Sequence, residues 1–376
     1  MSAECQHFSR NEQSAVKRAY IRICVPKEWR KPMKTWVISA CIACLSFGFV
    51  SPASAKVKIL AMTTDLAWLA KQIGKDHVKV DSVLTGKEDP HHAVAKPSLI
   101  LKASRAHLFL DIGMELGVGY VPLILRNSRN GNIQMGAPGF INTSIFVKRL
   151  EIPANVTRNS GDVHAQGNPH YWVDPVSFLA AGRAVLQGLI RADAAHAKTY
   201  QKNYKQLEKR IVVKLVGKIL PQAVGTKKLL KLMRNYKLIP FLQSTKIGGR
   251  SIVRYLGGWL KKMLPLRGKT YISHHRQWVY FAKRFGIAPF GQLEPKPGIP
   301  PTAKHMLRLL ARSKANKPTW IFVAGFLPLQ AGRFFSKKAG IPLVQLPIST
   351  AKGTGHADYI SLMDLMINKL HKAAKK

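Results

Sequence analysis

From Lys56 onward, apolar and polar positions fall into two alternating periods. Residues 56–62 (KVKILAM), 77–84 (HVKVDSVL) and 106–110 (AHLFL) read as strands, the middle one by its period of two. Residues 66–73, and a stretch that ends at Ala103, carry the 3.6-residue period of amphipathic helices. Strand–helix–strand–helix order predicts a parallel sheet covered by helices. Further short segments follow at Phe140-Ile141 and Val147.

The pattern then turns helical. One helix is expected over residues 178–190. A second is expected over 194–218, where Tyr200, Tyr204, Leu207, Ile211 and Leu215 recur on one face and no Gly or Pro intervenes before Gly217. About twenty-five helical residues at 1.5 Å each span roughly 37 Å, enough to run between two domains. Residues 226–262 read as short helices broken at Gly248-Gly249 and Gly257-Gly258. After them the alternation resumes, with strands at 270–273, 288–293, 320–323 and 342–346 and helices at 278–285, 301–313, 330–339 and 359–372. The fold class expected is α/β: two α/β domains with central parallel-type sheets joined by one long rigid helix, over residues 56–192, 193–220 and 221–376.

Residues 1–55 follow a different logic. Met33-Lys34-Thr35 is a short charged start, residues 36–50 are mostly apolar, and Ala53-Ser54-Ala55 fits a small-x-small cleavage pattern. This predicts a signal peptide cut before Lys56, preceded by an overlong start. The apolar run of about fifteen residues is short of the ~20 needed to span a bilayer. Ile38-Ser39-Ala40-Cys41 loosely resembles a lipoprotein cleavage box, the alternative. Cys5, Cys24, Cys41 and Cys44 all precede the expected cut, so the mature chain would hold no disulfide and no cysteine metal site.

Charge adds one question. Of 60 Lys and Arg, eight precede Lys56, and of 18 Asp and Glu, three do; the mature chain keeps 52 and 15, a formal charge of +37. Such a balance invites a nucleic-acid partner, but there is no zinc-finger spacing, aromatic RNA-binding signature or basic zipper. The basic residues are spread along helices, which reads as a solvated surface. Few carboxylates also suit an acidic external medium.

Candidate chemistry lies where strands run into loops. Residues 167–175 (GNPHYWVDP) place His170 between an Asn-Pro turn and the aromatic pair Tyr171-Trp172, with Asp174 and Pro175 positioned as helix cap and first helical residue. A histidine on a pre-set turn suits a metal ligand, and it suits a buried structural histidine as well. Asp89-Pro90-His91-His92 and Ser273-His274-His275-Arg276-Gln277-Trp278 are two more such stretches. In open α/β sheets, ligands bind beyond the carboxyl ends of strands, so the three would meet in a cleft between the two units. A hydrolytic zinc enzyme using these histidines is a rival, though neither HExxH nor Gly-x-Ser-x-Gly is present.

Taken together, the stretches DPHHAVAKPS (89–98), GNPHYWVDP (167–175), GGWLKKMLPLRGKTYISHHRQWVYFAKRFGI (257–287) and EPKPGIPP (294–301) resemble the solute-binding proteins of zinc and manganese ABC importers, the ZnuA/TroA-like family. The likeness runs from about Lys56 to Leu370. It implies two α/β domains joined by one long helix, with a metal ion at their interface. It also implies a monomeric, non-enzymatic periplasmic carrier of Zn²⁺, alternatively Mn²⁺, serving an ABC permease in the inner membrane with no nucleic-acid partner. The family pattern places the metal ligands on His91, on His170, and on the histidine three residues before an aromatic, which is His275 ahead of Trp278. A fourth ligand, often an aspartate after the last strand, has no counterpart in LPISTAKGTGHADY (346–359); Asp358, His356 or water are the candidates. The His- and acid-rich loop of many zinc-type members is reduced here to His164.

Overall fold

A computed structural model describes residues 55–155 and 163–375. The expected leader, except Ala55, and all four cysteines lie outside the described residues. Ala55–Lys376 forms one compact unit.

Its first half is built on a sheet of β1 (Val57–Ala61), β2 (Val78–Ser82), β3 (Leu108–Asp111) and β4 (Phe140–Asn142), all parallel, in the order β2-β1-β3-β4. Helices α1 (Thr64–Gly74), α2 (Pro97–Ser104) and α3 (Val121–Ser128) connect them. Helix α4 (Pro175–Ala192) starts where the sequence expects: Asp174 accepts from the Val176 and Ser177 amides, and Pro175 takes the first position, which needs no N–H.

Next comes α5 (Ala197–Val216), whose buried face is the expected stripe of Tyr200, Tyr204, Leu207, Ile211 and Leu215. At 20 residues it is shorter than the sequence suggests. Ala194–His196 winds as a 3₁₀ turn, and Gly217 leaves helical geometry with φ +83, its Cα hydrogens facing Gly257 so closely that a Cβ would lie 2.8 Å from the Gly257 Cα. A further helix, α6 (Ile219–Val224), precedes the stretch expected as short helices, which itself holds α7 (Thr226–Arg234), α8 (Leu238–Ser244) and α9 (Gly258–Met263). Between α8 and α9 the chain also makes a small antiparallel hairpin, β5 (Lys246–Ile247) with β6 (Arg250–Ser251). Gly248 and Gly249 both take positive φ at its turn, the conformation a two-residue hairpin requires.

The second sheet is β7 (Thr270–Ser273), β8 (Ala288–Gln292), β9 (Trp320–Ala324) and β10 (Leu343–Leu346), again all parallel, ordered β10-β9-β7-β8. Helices α10 (Val279–Phe285), α11 (Ala303–Ala315), α12 (Gln330–Ala339) and α13 (Tyr359–Ala373) complete it. All five residues of β9 are buried, as expected of an inner strand covered on both faces. Its side chains divide by the two-residue period: Trp320 and Phe322 join a core shared with the first sheet, α4 and α5, while Ile321 and Val323 join a smaller cluster with Leu309 and Phe335. The larger core is therefore continuous between the two α/β regions. Among the described residues, no helix is long and apolar enough to cross a membrane.

Candidate metal centre

Asp89-Pro90-His91 and Asn168-Pro169-His170 fold alike. In each, the Asx side chain turns back two residues. Asp89 Oδ1 accepts from the His91 backbone N–H at 3.0 Å and from His91 Nδ1 at 2.7 Å. Asn168 Oδ1 accepts from the His170 backbone N–H and from His170 Nδ1, both at 3.0 Å. Proline stiffens the middle of each turn, and the Asx carbonyl or carboxyl closes it. Asn168 spends its amide hydrogens on Glu151 and on the Arg276 carbonyl, so its oxygen is the atom left facing His170. Gly167 makes the entry possible: it sits at φ +103, and a Cβ there would meet the Leu150 carbonyl oxygen at 2.9 Å.

His275 stands two residues past the end of β7 and reaches the same arrangement by another route. Its Nδ1 lies 2.8 Å from Glu294 Oε2, two residues past the end of β8. A carboxylate cannot donate, so the ring carries its proton on Nδ1 and turns a bare Nε2 the other way. His274 is buried beside it, with Nε2 at 3.7 Å from Glu294 Oε1. His92 is exposed.

The three expected histidines come together. Among the described residues, His91, His170 and His275 form the group whose metal-binding atoms lie within 4.8 Å of one another, and all three are buried. Ring centroids stand 5.0, 5.1 and 5.6 Å apart. The Nε2 atoms of His91 and His170 are buried without a hydrogen-bond partner. Lone pairs stripped of water and aimed at one point are costly unless something fills that point, and a divalent cation would. Burial, followed by the neighbouring rings of His91, His275 and His164, holds the His170 imidazole well below its ordinary 6.5 and keeps it neutral. Nitrogens about 2.0–2.1 Å from one zinc ion lie roughly 3.4 Å apart, so a modest contraction of the group seats an ion.

A cavity of about 250 Å³ opens on this point, walled by Glu151, His164, Asn168, His170, His275 and Arg276. His164 stacks on His91 with centroids 5.5 Å apart. Asp358 and His356 do not belong to the three-histidine group. Asp358 is committed to the start of α13, accepting from the Ile360 and Ser361 amides in a capping box.

Contacts from both sheet regions brace the site. Tyr280 donates to the Asn168 carbonyl at 3.0 Å and accepts from the Leu150 amide. Trp172 Nε1 donates to the Ile348 carbonyl, and Tyr359 donates to the Trp172 carbonyl, both at 2.6 Å. Asp174 caps α4 and also receives a bidentate, buried Arg284 from α10 at 2.7 and 2.9 Å. Sequence reasoning missed the three Nδ1 acceptors and Arg284. The repeated Asx-Pro-His tripeptide is a usable signal for Asp89 and Asn168. Glu294 opens the EPKPGIPP stretch that carries the family likeness, but nothing local marks it as the partner of His275.

A family model described as zinc-uptake complex component A, periplasmic (ZnuA), matches residues 59–213 and 255–373. The chain is similar to the iron ABC transporter substrate-binding lipoprotein MtsA of Streptococcus pyogenes serotype M1, at 22% identity over 339 residues, 89% of this chain and 94% of that protein. It is also similar to the manganese ABC transporter substrate-binding lipoprotein PsaA of Streptococcus pneumoniae, at 21% over 338 residues, again 89% and 94%. Among solved structures it resembles a crystal structure of ZnuA, with TM-score 0.61 and 16% identity, covering 85% of this chain and 99% of that one. A cadmium-bound periplasmic metal binding protein from Candidatus Liberibacter asiaticus gives TM-score 0.59 at 16% identity, covering 84% and 98%. At these identities the structural likeness speaks to the fold, and the relatives' names span several metals.

Proposed function

The chain belongs to the zinc-uptake component A family, the substrate-binding proteins of metal ABC transporters, and from that premise we propose that it captures Zn²⁺ on His91, His170 and His275 and hands it to a membrane permease. The observation that carries this reading is the pair of buried, partnerless Nε2 atoms in a group of three imidazoles whose binding atoms lie within 4.8 Å. Three nitrogen donors favour Zn²⁺ over Mn²⁺, which prefers oxygen, and over Fe²⁺, which stands lower in the affinity order. The carboxylates on His91 and His275 raise the basicity of those rings and hold them in place. Water completes the coordination from the cavity side.

The protein works outside the cytoplasm as a monomeric carrier, not a catalyst, with the permease and ATPase of its transporter as partners. Residues 56–192 and 221–376 act as its two lobes and residues 193–220 as the strut between them; all strands of the first sheet precede the strut, and all strands of the second follow it.

Metal analysis of protein purified without added metal, followed by melting with and without Zn²⁺, tests the assignment. Binding stabilises by RT ln(1 + [L]/Kd), about 4 kcal/mol at a thousandfold excess over Kd. His91→Ala, His170→Ala and His275→Ala should each abolish most of the shift, while His92→Ala and His274→Ala keep it. Loss in His274→Ala with retention in His275→Ala would reassign the third ligand. Retention in all five places the metal elsewhere, and native manganese that Zn²⁺ cannot displace makes Mn²⁺ the cargo.

A further inference from the structure

Residues 214–254 fall between the two stretches matched by the family model, and their chemistry differs from that of the remaining chain. They contain ten Lys and Arg and no Asp or Glu, whereas the other residues from Lys56 on carry 42 and 15. Nine of the ten are exposed. Their ion pairs among the described residues are Lys214 with Asp364 and Arg234 with Glu208, at 3.1 and 3.7 Å. Among the described residues, the other eight have no carboxylate within pairing distance.

Helix α7 buries Leu229, Leu230 and Met233 against the protein, where it meets α4 and α5. Its apolar face is thus already used, and Lys227, Lys228 and Lys231 point to solvent. Lys228 lies over the Phe241 ring of α8 at 5.0 Å, and Ser251 of the hairpin donates to the Leu242 carbonyl, so α7, α8 and the hairpin form one surface. At the hairpin tip Ile247 is 63% exposed, set between Lys246 and the two turn glycines and paired across to Arg250. An aliphatic side chain held in water beside a two-residue turn and flanked by Lys246 and Arg250 serves no visible packing role.

We propose that this surface docks the protein on an anionic lipid bilayer, with the cations on the headgroups and Ile247 at the boundary of the acyl region. Cationic side chains around an exposed apolar one are the composition that binds membrane interfaces. Each Lys or Arg near such a surface adds about fivefold to binding, and salt screens it. A nucleic acid would use the cations and leave Ile247 idle. The inference is independent of the metal ligands, and its test needs no metal, so its failure and the failure of the transport reading are separate results.

The test uses the chain from Ala55, which is a compact unit by itself. Sedimentation is measured with vesicles of phosphatidylcholine alone and of phosphatidylcholine mixed with phosphatidylglycerol. Binding should require phosphatidylglycerol and weaken with salt. Combined Lys227→Gln, Lys228→Gln, Lys231→Gln and Lys246→Gln should lower it at least tenfold, while Lys304→Gln, Lys314→Gln, Lys337→Gln and Lys338→Gln together leave it within a fewfold. Ile247→Ser should weaken binding severalfold without altering its salt dependence. Melting curves establish that each variant folds; should the quadruple variant fail, Ile247→Ser and the exposed pair Lys246→Gln with Arg250→Gln still decide. Binding indifferent to phosphatidylglycerol, equal losses in the two lysine sets, an unchanged Ile247→Ser protein, or tighter binding to duplex DNA at the same salt would overturn the proposal.

Discussion

Asp89 and Asn168 each stand two residues before a site histidine and turn back onto its Nδ1. One is an acid and the other an amide, so the shared requirement is an acceptor at a fixed point. Removing such a partner commonly weakens metal binding 10–100-fold. Asp89→Ala should show a loss of that size in a competition titration with a chelating dye, and Asp89→Asn, which keeps the acceptor, a smaller one; equal affinity in both variants and the parent would show that the acceptor does not matter. Asp65 behaves differently. It is buried on α1 and accepts from the Thr350 amide at 3.0 Å. Burial pushes its carboxyl from 3.8 up to about 7, against the opposing pull of that hydrogen bond. Across that window the folded chain binds more protons than the unfolded one, so stability is full at low pH and falls as pH rises toward 7. Asp65→Asn keeps an acceptor for Thr350 and cannot ionise. Its melting temperature relative to the parent should climb between pH 4 and pH 7; a constant difference would mean that Asp65 stays ionised throughout. Of the residues at this scale, the three histidine-bearing loops were legible from their turn residues, and the choice of His91, His170 and His275 among their histidines came from the family resemblance. The pairing of Glu294 was not legible, because its partner lies nineteen residues earlier on another strand end.

Among the elements, α4 and α10 are tied by the Asp174–Arg284 pair. The cap at Asp174 is written in the local order Asp-Pro. Its second role is not, since Arg284 comes from 110 residues away and also donates to the Met233 carbonyl. Deleting one partner of a buried pair strands the other charge, typically at about 3–5 kcal/mol. Arg284→Ala should lose stability on that scale in urea unfolding; a loss below about 1 kcal/mol would mean that water reaches Asp174. Long periodic helices and strongly apolar strands were read well, with α12 (Gln330–Ala339) matching its expected bounds. Short elements were not. Helices α3 and α6 and the β5–β6 hairpin are eight, six and two residues per element, too short for a period to register, and Gly248-Gly249 reads as a break as readily as a turn.

For the whole molecule, the core that runs from the first sheet through α4 and α5 to one face of the second resists opening. Separating the lobes would expose Trp172, Tyr280 and Trp320, all buried at 1% exposure or less, at about 25 cal/mol for each Å² of apolar surface. Metal entry and exit should therefore move the loops around His91, His164 and His275 and leave the lobes in place. Small-angle scattering with and without Zn²⁺ should give radii of gyration that agree within about an ångström, given a continuous helix with no internal proline or glycine. A change of several ångströms would establish a hinge.

The chain's apolar periods and turn residues by themselves determined the α/β class, the parallel order of strands and helices, and three histidines on loops, because those depend on neighbours within a few residues. Tertiary structure decided what the histidines have in common. It brought Asp89, Asn168 and Glu294 onto their Nδ1 atoms, left two buried Nε2 atoms without a hydrogen-bond partner, and seated Arg284 on Asp174. Each of these joins residues through space that the chain separates by loops, helices or whole sheets, and burial, which sets their energies, exists only once the core has closed.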